Sequence, residues 1–252
     1  MNAFKASALP FAIISIVAEA VLTDVATIGP EGINSASLGL TGVGISIGQV
    51  EVARPGDADA GDNPGNRNST VNPAAVFLQD GPAAANMNVN NHAEGVAGVM
   101  ISTHQTATGV ATGAQLYSTA IGAEDTDPTE IAISMQHIAN QDNFDVRAIN
   151  FSAGLSLSGD MTDGNSHLTQ FVDWSAAYHN VLYVIAGEEV ETQPPPLPIP
   201  TDNHNGITVA ASTMQNGFYQ RVADFNRNTH DAVGTRTSVD LLAPGDSVVV
   251  TR

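Results

Sequence analysis

The sequence predicts an α/β domain with three layers, a mostly parallel sheet covered by helices on both faces. Three observations predict it. Short β-branched apolar runs recur along the chain, amphipathic stretches carrying helix-start signals lie between them, and 252 residues suit one large domain. Strands that are apolar throughout, rather than alternating, are buried on both faces, which is the condition of a parallel sheet under helices.

Gly44 to Val50 (GISIGQV) reads as the first strand, bounded by turn residues. Ala75–Gln79, Ala114–Tyr117, Val146–Phe151, Val181–Ala186, Ile207–Ala211 and Val239–Ala243 read likewise. Between strands, Ala93 to Met100 is an Ala/Gly-rich stretch able to lie as a helix against the sheet, with Asn90 and Asn91 as cap candidates. Asp127-Pro128-Thr129-Glu130 supplies an N-cap, a proline at the first helical position and a capping-box acid. Behind it Ile131, Met135 and Ile138 fall on one helical face. A further helix starts near Asp163, with Leu168, Phe171, Val172 and Ser175 on one face. Residues 52–74 form an irregular Pro/Gly/Asn/Asp-rich excursion, and 187–206, with its polyproline run, a stiff surface loop.

Eight basic against 26 acidic residues give a net charge of −18, which excludes nucleic acid and an anionic membrane surface as partners. Charged residues make up 13% of the chain, so much of the polar surface comes from Asn, Ser and Thr. With no cysteine, neither a disulfide framework nor a thiolate metal site is available. Lys5 precedes an apolar run from Ala6 to Ala18, and Ala18-Glu19-Ala20 has the small-x-small form of a cleavage site. Residues 1–20 are therefore expected to be a secretory signal and 21–252 a single domain. The thirteen apolar residues are too few to span a bilayer as a helix, and no other stretch is long enough. The expected location is secreted or cell-surface.

In a parallel sheet, ligands gather at the carboxyl ends of the strands. Glu51, Ser152 and Glu188 follow three of the expected strands, and His92 stands at the start of the Ala/Gly-rich helix. A histidine between carboxylates on one sheet edge is a usable acid–base set. Asp57, Asp59 and Asp62 offer oxygen ligands on a loop, suitable for calcium though without EF-hand spacing.

Six segments, taken in order, carry a resemblance. Leu40 to Glu51 is similar to a glycine-rich approach to a strand ending in a catalytic acid. Asn91-His92-Ala93-Glu94-Gly95-Val96-Ala97-Gly98 is similar to the motif His-Gly-Thr-His-Val-Ala-Gly. Ala148-Ile149-Asn150-Phe151-Ser152-Ala153-Gly154 is similar to Ile-Asn-Met-Ser-Leu-Gly, and Val184 to Glu189 to a segment containing Ala-Ala-Gly-Asn-Glu. Ile207 to Ser212 and Asp240-Leu241-Leu242-Ala243-Pro244-Gly245 are similar to later strands of the same set. Together the segments resemble the subtilases, the subtilisin-like serine proteases.

The resemblance implies a subtilisin-like fold and peptide-bond hydrolysis through an acyl-enzyme. His92 would be the general base and Glu51 the carboxylate that orients it, where the family has Asp. Glu188 would occupy the oxyanion position, where the family has an amide donor, and a carboxylate donates there only when protonated. Ser152, Ala153 and Gly154 would bind a protein or peptide substrate by strand addition. No cofactor is required for the chemistry; calcium is the family's common structural ion, but Asp57, Asp59 and Asp62 do not match its motif positions and read first as a solvated acidic loop. The family's Gly-Thr-Ser-Met-Ala motif does not occur in these 252 residues, so the domain is expected to be C-terminally incomplete and inactive as it stands. The alternative is a non-catalytic homologue that acts as a secreted peptide-binding or surface protein.

Overall fold

The computed structural model describes residues 38–56, 70–83, 88–122, 127–155, 162–187, 197–216, 218–221 and 237–245. Within them the strands are β1 (Ser46–Glu51), β2 (Ala75–Leu78), β3 (Gly81–Pro82), β4 (Gln115–Ala120), β5 (Val146–Phe151), β6 (Leu182–Ala186), β7 (Ile207–Gln215), β8 (Phe218–Arg221) and β9 (Leu241–Pro244). The helices are α1 (Asn91–Ile101), α2 (Pro128–Ala139), α3 (Gln141–Phe144) and α4 (His167–His179). One sheet runs in the order β3-β2-β4-β1-β5-β6-β7-β8, with β9 also paired to β7. Its centre is parallel, whereas β3 and β8 pair antiparallel with β2 and β7. The expected α/β architecture is therefore present.

Side chains of β1 alternate between two cores, as the strand period of two requires. Val50 joins a cluster with Ile131, Met135 and Ile138 of α2 and Leu168 and Val172 of α4. Ile47 packs instead with Ala97 and Ile101 of α1 and with Leu116 of β4. Thus α1 covers one face and α2 with α4 the other. Gly48 is what lets α2 approach so closely: a Cβ there would sit 2.4 Å from Ile138 Cγ2 and 3.0 Å from Ile149 Cγ1.

Helix starts follow local chemistry. Asn90 caps α1, its side chain accepting the His92 N–H, and Asp127 caps α2 through Thr129 N–H at 2.7 Å, with Pro128 in the first turn. The α4 start differs from the expected Asp163. Ser166 is the cap, accepting Thr169 N–H at 3.0 Å, while Asp163 closes a local turn by accepting Asn165 N–H at 3.0 Å. Both side chains can accept from the backbone two or three residues on, and only one can open the helix.

A second expectation is corrected outright. Of the predicted surface loop 187–206, residues 188–196 lie outside the described residues, but Leu197, Ile199, Thr201, Asp202 and Asn203 are buried. Asp202 explains their burial: Oδ1 accepts Thr169 Oγ1–H at 2.6 Å and Oδ2 accepts Gly164 N–H at 2.8 Å, which anchors the segment at the start of α4. A carboxylate at a helix N-terminus is favoured by the unpaired backbone N–H groups there.

Candidate active site

The chain leaves β1 for β2 and β4 on one side, then crosses back through α2 to β5 on the other. The carboxyl end of β1 is therefore a topological switch point, where such sheets open a crevice. Glu51 is the last residue of β1 and is fully buried. Beyond it the chain pairs with the segment that leads into α1. Arg54 N–H donates to Asn88 C=O at 2.7 Å and Asn90 N–H donates to Arg54 C=O at 3.2 Å. That short ladder sets the cap of α1 beside the end of β1.

His92 stands in the first turn of α1, its backbone N–H held by Asn90 Oδ1 at 2.7 Å. Its Nδ1 lies 3.2 Å from Glu51 Oε2, with the imidazole half-exposed and the carboxylate buried. The other carboxylate oxygen, Oε1, accepts Val52 N–H at 2.9 Å. Oε2 is buried, and the His92 imidazole is its polar neighbour, an ion pair once the ring is protonated. Glu51, by hydrogen bonding and then by charge, holds the His92 pKa above its ordinary value of 6.5, against the opposing effect of partial burial. The extra methylene of Glu over Asp is absorbed without moving β1 out of register, since Glu51 stays paired with Ala120 of β4.

β5 continues the same edge. Gln49 and Val50 of β1 are in register with Asn150 and Phe151 of β5, so Ser152 follows beside Glu51. Phe151 points into the α2/α4 core, and Asn150 Nδ2 donates to Ser152 Oγ at 2.7 Å, which places these two on the α1 face. Next along, Leu155 and Ile199 exchange both backbone hydrogen bonds at 3.0 Å, and a Cβ on Gly154 would sit 2.6 Å from Pro198 Cγ. Among the described residues, Ala153 and Gly154 have no backbone hydrogen-bond partner. They follow the end of β5 beside the Glu51–His92 pair.

The structure thus brings Glu51, His92 and Ser152 to one sheet edge. Glu188, Asp57, Asp59 and Asp62 lie outside the described residues. No cluster of three or more His, Asp or Glu side chains able to hold a metal occurs among the described residues. A cleft of about 500 Å3 opens on the opposite sheet face, lined by Asp80, Gln136, His137 and Phe171 among others, and includes neither residue of the pair. Gln49 went unremarked in the sequence. It is fully buried on the α1 face and donates through Nε2 to Ala93 C=O at 2.9 Å. Its one signal is a long polar side chain in the interior of a short buried strand.

The family model of the subtilases matches residues 32–251. No curated protein matches the chain. Among solved structures, the S41 psychrophilic protease is similar with 25% identity and a TM-score of 0.57, over 86% of this chain and 72% of that one. Sphericase matches with 23% identity and a TM-score of 0.52, over 84% and 70%. The prenylagaramide maturation protease matches with 16% identity and a TM-score of 0.62, over 88% and 70%, a likeness of fold. No described helix is long and apolar enough to cross a membrane. With the family match covering most of its length, and the fold shared with these proteases, the chain belongs to the subtilase family.

Proposed function

We propose that this chain carries the acid–base half of a subtilisin-like serine endopeptidase site, acting on protein or peptide substrates outside the cytoplasm. The observation that carries the reading is the 3.2 Å contact between His92 Nδ1 and Glu51 Oε2 at the switch point of the sheet. With Nδ1–H turned toward Glu51, the imidazole Nε2 is left as the base. In the reaction, a serine oxygen attacks the scissile carbonyl carbon and its proton passes to His92 Nε2. The ring, now cationic, is stabilised by Glu51. The same proton then goes to the departing amine, leaving an acyl-serine that water hydrolyses by the same route. Ala153 and Gly154 hold the extended substrate through backbone hydrogen bonds beside Ser152.

The serine of the family's Gly-Thr-Ser motif is not among these residues, so the test uses the full-length gene product. Hydrolysis of a chromogenic peptide is expected from the parent, with a loss of about 10^2–10^4-fold in kcat on His92→Ala. Equal rates in parent and variant would overturn the assignment.

Glu188 favours a second reading, a secreted peptide-binding homologue without catalysis. An ionised carboxylate at the oxyanion position would repel the developing charge. A fluorophosphonate that labels the full-length product only at low pH supports a protonated, donating Glu188. Peptide binding with no labelling between pH 4 and 9 supports the non-catalytic form.

A further inference from the structure

The first turn of α1 is held to β1 at two consecutive helix residues by two same-face strand residues. Glu51 reaches His92, and Gln49, two residues earlier, reaches the carbonyl of Ala93 at 2.9 Å. Ala93 and Gln49 are both fully buried, so no water competes for this bond. A helix carbonyl in the first turn already serves the helix; the Gln49 amide adds a second donor from below. Gln49 is also the centre of a polar row across the middle of the sheet, in register with Ser118 of β4 and Asn150 of β5. Helix packing alone would favour an apolar side chain at such a place, and the row retains an unpaired Gln49 Oε1 and Ser118 Oγ, each a destabilising burial. The residues that α1 buries in its first two turns are mostly small, Ala93, Gly95, Ala97 and Gly98, so few large side chains interlock there to fix the helix over β1.

We propose that Gln49 is a positioning residue for His92: its amide, bonded to Ala93 C=O, fixes the first turn of α1 over β1 and so sets the imidazole's distance from Glu51. The inference rests on the proposed role of the pair, but it is read on the histidine itself. Without the amide, the turn keeps the Glu51 contact and the Arg54–Asn90 backbone bond but loses its hydrogen bond to the middle of β1, and the His92–Glu51 contact lengthens. The other charged groups buried near this junction, among the described residues, are Arg54 and Glu94.

The test is an NMR titration of the His92 ring in parent and Gln49→Met, a change that keeps the length of the side chain and removes the donor. The expected result is a cooperatively folded variant whose His92 titrates at lower pH, back toward the ordinary imidazole value, as the Glu51 contact weakens. A folded variant in which His92 titrates as in the parent overturns the proposal. Should the methionine variant fail to fold, Gln49→Asn decides in its place, because its amide falls one methylene short of Ala93 C=O. In the full-length product, Gln49→Met is expected to lower kcat at least several-fold with KM unchanged. Loss of peptide hydrolysis in the parent would sink the protease reading and leave the titration result standing.

Discussion

Glu51 divides its carboxylate between two elements, one oxygen on the Val52 N–H at 2.9 Å and the other 3.2 Å from His92 Nδ1. The first contact fixes the carboxylate plane against its own backbone, and the second aims it at the helix. A longer acid than Asp serves here because its chain folds back on the strand end before meeting the ring.

Replacing Glu51 by Gln removes the group that raises the His92 pKa. The ring then protonates at lower pH, so the acidic limb of kcat/KM in the full-length product moves to lower pH. The plateau falls by about 10^2–10^4-fold, as expected when the partner that orients a catalytic histidine is neutralised. A pH–rate series on parent and Glu51→Gln checks both effects.

His92 also links stability to pH. Because its folded pKa is raised, its stabilising contribution is fully present below the unfolded value of about 6.5 and is lost as pH rises through the higher folded value. The difference in urea midpoint between parent and His92→Ala is expected to shrink from pH 5 to pH 9. A difference that grows with pH contradicts the contact.

Gly48→Ala should destabilise by about 1–3 kcal/mol, since the new methyl meets the stiff β-branched side chain of Ile138. Combining it with Ile138→Ala should cost less than the sum of the two single changes, because the second removes the clash. Thermal melts of the double-mutant cycle measure the coupling.

Asn90→Ala should cost about 1 kcal/mol of stability through the lost cap of α1. The capped donor is the His92 N–H itself, so the same change is expected to broaden the His92 ring signals while Asp127→Ala, which uncaps α2, leaves them unchanged.

Ser175 and Tyr183 form a buried hydroxyl pair at 2.8 Å, and burial pushes the Tyr183 pKa up. Ser175→Ala and Tyr183→Phe should each cost about 1–3 kcal/mol, because each strands the other hydroxyl in the core. Thermal melts of the double-mutant cycle check it, and losses that simply add would count against the pairing.

Much of this was legible in the residues. The apolar runs mark the central strands to within a few positions, because a parallel strand buried on both faces leaves little room for polar side chains. Glu51 and His92 stood out because a carboxylate at a strand end and a histidine at a capped helix start are exceptions to their surroundings. Other features depended on partners distant in sequence. β3 and β8 are short antiparallel edges with no periodic signal, and α3 is a single turn. Leu197 to Asn203 read as surface behind the prolines until Asp202 found Thr169 and Gly164, 33 and 38 residues away. Gln49 has meaning only once Ala93 lies above it.

The account stands most directly on fluorophosphonate labelling of the full-length gene product, followed in the parent, His92→Ala and Glu51→Gln. It predicts labelling of the parent, slowed by about 10^2-fold or more in each variant. Labelling that proceeds at the parent rate in His92→Ala, or is absent from the parent between pH 4 and 9, would contradict it.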